Sequence, residues 1–175
     1  MAHVSGAPMV RLVVLCLLGS ACGPTALVPL TAATPITNTP SAPLEVSTRS
    51  VGVHDPLRLP WTRVAFAGLE EPLGHAVSTA VVPWALARRD ERPEGWQLLI
   101  ELIQAQVSQR ERQMIVTLGV RATLRTRRGN VYLAQTQAHC KQAALVEPQE
   151  AAPVFYRCMT NLGRELAGWL GGVSP

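Results

Sequence analysis

The clearest pattern along the chain is a strict alternation. Met114, Val116, Leu118, Val120, Ala122 and Leu124 point one way, while Gln113, Thr117, Arg121, Thr123 and Arg125 point the other. A period of two with one apolar and one polar side marks a β-strand with one buried face and one wet face. Ahead of it, Trp96 to Ser108 is also apolar, but its parity switches: Trp96, Leu98, Ile100 and Leu102 share one face, and Ile103, Ala105 and Val107 the other. That switch predicts a strand with a bulge near Leu102. Beyond the alternating strand, Arg127-Arg128-Gly129-Asn130 supplies hairpin-turn residues, and Val131 to about Lys141 returns antiparallel. Leu59 to Ala67, with prolines before it and Gly68 after it, predicts an earlier strand.

Two stretches repeat at helical spacing instead. From Pro72, apolar residues recur at Leu73, Ala76, Val77, Ala80, Val81 and Trp84, with an expected kink at Pro83 and with Arg88 and Arg89 closing the run. Pro153 to Leu170 carries Phe155, Cys158, Met159, Leu162, Leu166 and Trp169 on one stripe and stops at Gly171-Gly172. The order strand-helix-strand-strand-strand-helix predicts an α+β domain over residues 51–175. Its expected form is an antiparallel four-stranded sheet with both helices on its apolar face.

The first fifty residues read differently. Met1 to Ala21 opens with His3 and Arg11 and continues through an uncharged run from Leu12 to Leu18, too short to span a bilayer, so a cleaved export signal is expected. Residues 22–50 are rich in Pro, Thr, Ala and Ser, with Glu45 and Arg49 as the only charges. They are expected to form a disordered tether with a reach of tens of Å, at up to about 3 Å per residue.

The run Leu17-Leu18-Gly19-Ser20-Ala21-Cys22 resembles the lipobox of bacterial lipoproteins, departing from it at Gly19, where an aliphatic residue is usual. The resemblance implies diacylglycerol on the Cys22 thiol, cleavage immediately before it and a membrane anchor without a transmembrane helix. With Gly23 and not Asp after the cysteine, it further implies sorting to the outer membrane, with the domain in the periplasm.

Composition removes several function classes. The 175-residue chain has 16 basic and 12 acidic residues, and Arg11 departs with the signal, so nucleic acid is not an expected partner. His54, His75 and His139 lie far apart, the acidic pairs fall in loops and helix ends, and no nucleophile elbow or phosphate-cradling glycine loop occurs. No enzyme activity, cofactor or metal is expected. Arg121, Arg125, Arg127 and Arg128 form a candidate surface for lipid phosphates or an acidic partner, set against the plainer role of keeping the sheet soluble.

Cys140 and Cys158 remain after Cys16 leaves with the signal and Cys22 is acylated, and a bridge between them is expected in an oxidising compartment. The bridge depends on register. A three-residue hairpin loop puts Cys140 on the Leu118 face under the terminal helix; a two-residue loop turns it outward. His139 beside it points to the opposite face, against a shared metal ion.

The layout of the whole mature chain resembles the ABC-type transport auxiliary lipoproteins, and also the LPS-assembly lipoprotein. The features that carry the likeness are the lipobox, the proline-rich segment, the early strand and helix, the Trp96 to Lys141 meander and the terminal helix. The resemblance implies a non-enzymatic envelope subunit that docks on a protein partner and helps complete a path for phospholipid or glycolipid. The other expectation is a lipoprotein scaffold of a secretion or motility complex without lipid cargo.

Overall fold

The computed structural model describes residues 26–30, 43–54, 56–59, 64–91, 94–128, 130–145 and 148–173. The export signal and Cys22 lie outside these residues. Among the described residues nine elements follow in chain order: β1 (Ala26–Pro29), β2 (Leu44–Ser50), β3 (Leu57–Arg58), β4 (Val64–Ala67), α1 (Glu70–Ala87), β5 (Trp96–Arg110), β6 (Gln113–Thr126), β7 (Tyr132–Leu145) and α2 (Pro148–Gly171). The α+β class matches the pattern of the sequence. The sheets are arranged otherwise.

The main sheet has the order β2-β5-β6-β7 and is mixed, because β2 runs parallel to β5 with Leu44 opposite Trp96 and Ser50 opposite Leu102. The expected antiparallel four-stranded sheet is therefore corrected. Its fourth strand comes from the segment read as tether, and the strand placed at Leu59–Ala67 belongs elsewhere. Residues 44–50 carry their own signal: Leu44 and Val46 turn inward while Glu45 and Arg49 lie at the surface. Joining parallel strands needs a long crossover, and the connection from β2 to β5 carries α1. Gly95 makes the pairing possible, at φ 79° and so close to β2 that a Cβ there would stand 2.8 Å from the Pro43 carbonyl oxygen.

A second, three-stranded sheet has the order β1-β4-β3, with β1 parallel to β4 and β3 antiparallel to it. It packs on the core through Phe66, whose ring centroid lies 5.3 Å from that of Phe155 in α2. The 22–50 tether is thus overturned at both ends: Ala26–Pro29 and Leu44–Ser50 are strands. The physical reason is backbone pairing, which a scan for apolar periodicity does not detect.

Helix α1 runs unbroken through Pro83 and ends before Arg88, whose guanidinium stacks 5.2 Å over the Trp84 ring. Trp84 in turn packs 5.1 Å from Trp96. Helix α2 begins at Pro148, five residues earlier than its stripe suggested, because a proline suits a first turn whose N–H groups are unpaired in any case. Its stripe, with Phe155, Cys158, Met159, Leu162, Leu166 and Leu170 fully buried, covers β6 and β7; α1 covers β2 and β5.

The parity switch in β5 is a register shift between Leu102 and Gln104. The β6–β7 turn closes where the Thr126 N–H donates to the Val131 carbonyl at 2.9 Å, leaving four residues between them, neither two nor three. Four alone would put Cys140 on the wet face. A second register shift, between Leu124 and Arg125, adds one residue to β7 and returns Cys140 to a place opposite Leu118. There it is bridged to Cys158, with the Cα atoms 5.5 Å apart. Closing an 18-residue separation this way stabilises the fold by about 3 kcal/mol.

The helices touch at Gly163. A Cβ there would meet the Ala76 carbonyl oxygen at 2.8 Å and the Ala80 Cβ at 3.3 Å, whereas at Gly168 on the same helix it would meet nothing within 4 Å. Alanine raises the stability of an unpacked helix by up to about 1 kcal/mol over glycine. Gly168→Ala is therefore expected to stabilise, and Gly163→Ala to destabilise by about 1–3 kcal/mol through overpacking. Urea midpoints of the two variants check this, and the same sign for both would contradict the close crossing.

Candidate functional site

The uncovered face of the main sheet carries the residues singled out for chemistry. Its rows follow from register: Glu45, Gln97 and Arg125 in one, Ser47, Leu99, Thr123 and Gln135 in the next, then Arg49, Glu101, Arg121 and Gln137. Beyond the bulge come Gln104, Gly119 and His139, then Gln106, Thr117 and Lys141. The face is rich in amides. Its charges are mostly paired.

Glu101 is the centre of that pairing. It is 8% exposed, and it accepts hydrogen bonds from Arg49, including one from Nε at 3.1 Å, and from Arg121 Nη1 at 3.5 Å. The hydrogen bond from Arg49 holds the Glu101 carboxyl below its ordinary value. Burial opposes this, and the charges of Arg49 and Arg121 reinforce it. The row thus works as a clamp joining β2 to β5 and β6, since its members come from three neighbouring strands.

The four predicted arginines are only partly gathered. Arg121 is engaged with Glu101, Arg125 donates from Nη1 to Asn130 Oδ1 at 3.1 Å, and Arg127 pairs with Glu45 at 3.3 Å. Arg128 is exposed in the turn, and its carbonyl accepts from Thr126 Oγ1 at 2.9 Å. Arg121 and Arg127 thus have carboxylate partners, Arg125 bonds a neutral amide and Arg128 stands exposed, so the four keep a net positive charge. Thr123, expected on the wet side, is buried at 5% exposure, and Arg125 beside it is half-buried.

Cys140 and His139 face opposite sides of β7, the first bridged in the core and the second exposed against Gly119. Among the described residues no three His, Cys, Asp or Glu side chains are grouped to hold a metal ion. No described helix is long and apolar enough to cross a membrane.

One feature was not anticipated from the sequence. A groove of about 330 Å³ lies between β7 and α2, lined by Gln142, Tyr156, Arg157, Thr160, Asn161 and Arg164. Its signal was legible on α2: Arg157 and Arg164 are seven residues apart, two helical turns, on a polar flank shared with Thr160 and Asn161. No carboxylate lines it.

Because the Glu101 carboxyl is lowered in the fold, its stabilisation is fully present above its ordinary value of 4.5 and is lost as pH falls through the lowered folded value. Glu101→Gln is expected to be less stable than the parent at about pH 6, with the difference narrowing on acidification. Urea midpoints measured against pH check this; a difference constant into strong acid would contradict the clamp.

No protein-family model matches the chain, and no curated protein matches it. Its fold does match solved structures. A Xanthomonas campestris protein of family DUF330 is 17% identical and superposes with a TM-score of 0.52, covering 82% of this chain and 94% of its own. A hypothetical protein of Chlamydia trachomatis is 11% identical, with a TM-score of 0.47 over 85% of this chain and 97% of its own. A minor lipoprotein of Acinetobacter baumannii is 10% identical, with a TM-score of 0.45 over 72% and 91%. At these identities the shared property is the fold, and of these three the Xanthomonas superposition carries it.

Proposed function

We propose that this chain is an envelope lipoprotein that serves as a non-enzymatic accessory subunit of an ABC-type lipid transport or envelope assembly system, held on the outer membrane by acylated Cys22. The observation that carries the reading is the junction of anchor and fold. Ala26, the first residue of β1, follows Cys22 by four positions, a span of at most about 14 Å. A tether with a reach of tens of Å would let a domain search the periplasm. A strand that starts four residues from the lipid holds the domain at the bilayer surface, where an accessory subunit meets membrane-embedded or membrane-spanning partners.

The interior of the domain supports docking over carriage. Leu73, Val77, Val81, Trp96, Leu98, Ile100, Val116, Leu118, Phe155 and Leu162 fill the space between helices and sheet with no exposure at all. Admitting an acyl chain among these side chains would separate the helices from the sheet and cost much of their packing. The domain would thus help lipid transport by attaching to the machinery, with its own anchor as its point of entry into lipid. The same sealed core also favours the second reading, a scaffold of a secretion or motility complex.

Affinity capture of the native lipoprotein from detergent-solubilised membranes, with mass spectrometry of proteins and lipids and a Cys22→Ser control, separates the two. Transporter subunits are expected to copurify with the acylated form and to be depleted in the control. Recovery of secretion or motility components alone would overturn the transport reading.

A further inference from the structure

The two edges of the main sheet differ. Edge β2 has seven residues, and its two charges, Glu45 and Arg49, are both in ion pairs. Edge β7 has 14 residues, contains no proline, and carries Lys141 as its single full charge. Among the described residues nothing pairs with its outer side. Long edge strands are normally blunted by charges, prolines or bulges, because a row of unpaired N–H and C=O groups recruits other strands. The one irregularity here lies at the start of β7, where it sets the Cys140 register, and leaves the rest regular.

The groove runs beside that edge. Gln142 contributes from β7 itself, and α2 contributes exposed Arg157 and Arg164, which lie about 10 Å apart along the helix axis. That separation is within reach of acidic side chains at alternate positions of an extended strand. The Cys140–Cys158 bridge fixes the two walls relative to each other, since Gln142 is two residues from one cysteine and Arg157 next to the other.

We propose that an extended acidic segment of a protein partner adds to the sheet along β7 and places its carboxylates between Arg157 and Arg164. Main-chain pairing supplies affinity, and the groove supplies the choice of charge. A second copy of this chain is the poorer occupant, because a twofold axis through β7 would bring two sets of the same cations together. The proposal deepens the accessory reading and rests on it only for the existence of a protein partner.

The test uses the full-length lipoprotein in detergent and peptides of about twelve residues in which valine alternates with Glu, Gln or Lys. The Glu peptide is expected to bind at least about ten-fold more tightly than the Gln peptide, with new amide-exchange protection along β7. Arg157→Glu with Arg164→Glu, both exposed and so compatible with the fold, is expected to abolish that preference at unchanged melting temperature. Arg157→Ala with Arg164→Ala should reduce it. Equal affinity for the Glu and Gln peptides, a preference that survives charge reversal, or protection elsewhere would overturn the proposal. Self-association through β7 in sedimentation would assign the edge to a second copy and overturn it too, as would phosphatidylglycerol vesicles binding through the same arginines without peptide selectivity. If transporter subunits copurify while the peptides fail, the edge proposal falls and the accessory reading stands.

Discussion

A sheet whose apolar face spans β5, β6 and β7 cannot stand in water uncovered, and the whole arrangement follows from how that face is closed. Met114 through Leu124 on alternate positions are buried, as are Trp96 to Leu102 beside them. One helix cannot cover four strands, so α1 lies over β2 and β5 and α2 over β6 and β7, and the helices must then meet each other. Gly163 allows that approach. Cys158 locks α2 to β7, so the element covering the sheet is also bonded to its edge strand.

Closing one face leaves two surfaces with different character. The uncovered face pairs part of its charge: Glu101 sits between Arg49 and Arg121, Arg127 meets Glu45, and amide side chains fill the rows between. Paired charges on three strands hold the sheet together, while Arg125 bonds only the neutral amide of Asn130. The β7 edge and its groove are the reverse, with backbone groups and two guanidinium groups and no carboxylate in the lining.

Much of the fold was legible because burial imposes periodicity. The alternation in β6, the parity switch in β5 and the stripe on α2 all report which side chains leave water, and each reappears in the structure. What failed to show were features set by backbone pairing. Leu44–Ser50 has only Leu44 and Val46 as apolar positions and follows Pro43, so its short alternation becomes a strand only beside the hydrogen bonds that β5 offers. The hairpin is a second case. A four-residue turn and a compensating shift at Leu124 and Arg125 together give the inward Cys140 that a three-residue loop would have given alone. The candidate site was less legible still, since Glu101 reads as an isolated acid in an apolar run until Arg49 and Arg121 are set beside it by strand order.

In the proposed function, an acyl group on Cys22 would stand four residues ahead of the first strand, Ala26–Pro29. The central claim is the anchor, for without Cys22 acylation the domain is not held at a membrane and the accessory reading loses its place of action. The most direct measurement is the mass of the N-terminal peptide of the mature protein purified from the membrane fraction. A peptide that begins at Cys22 and carries a diacylglyceryl group is the predicted result; one that begins elsewhere, or at an unmodified Cys22, would contradict the account.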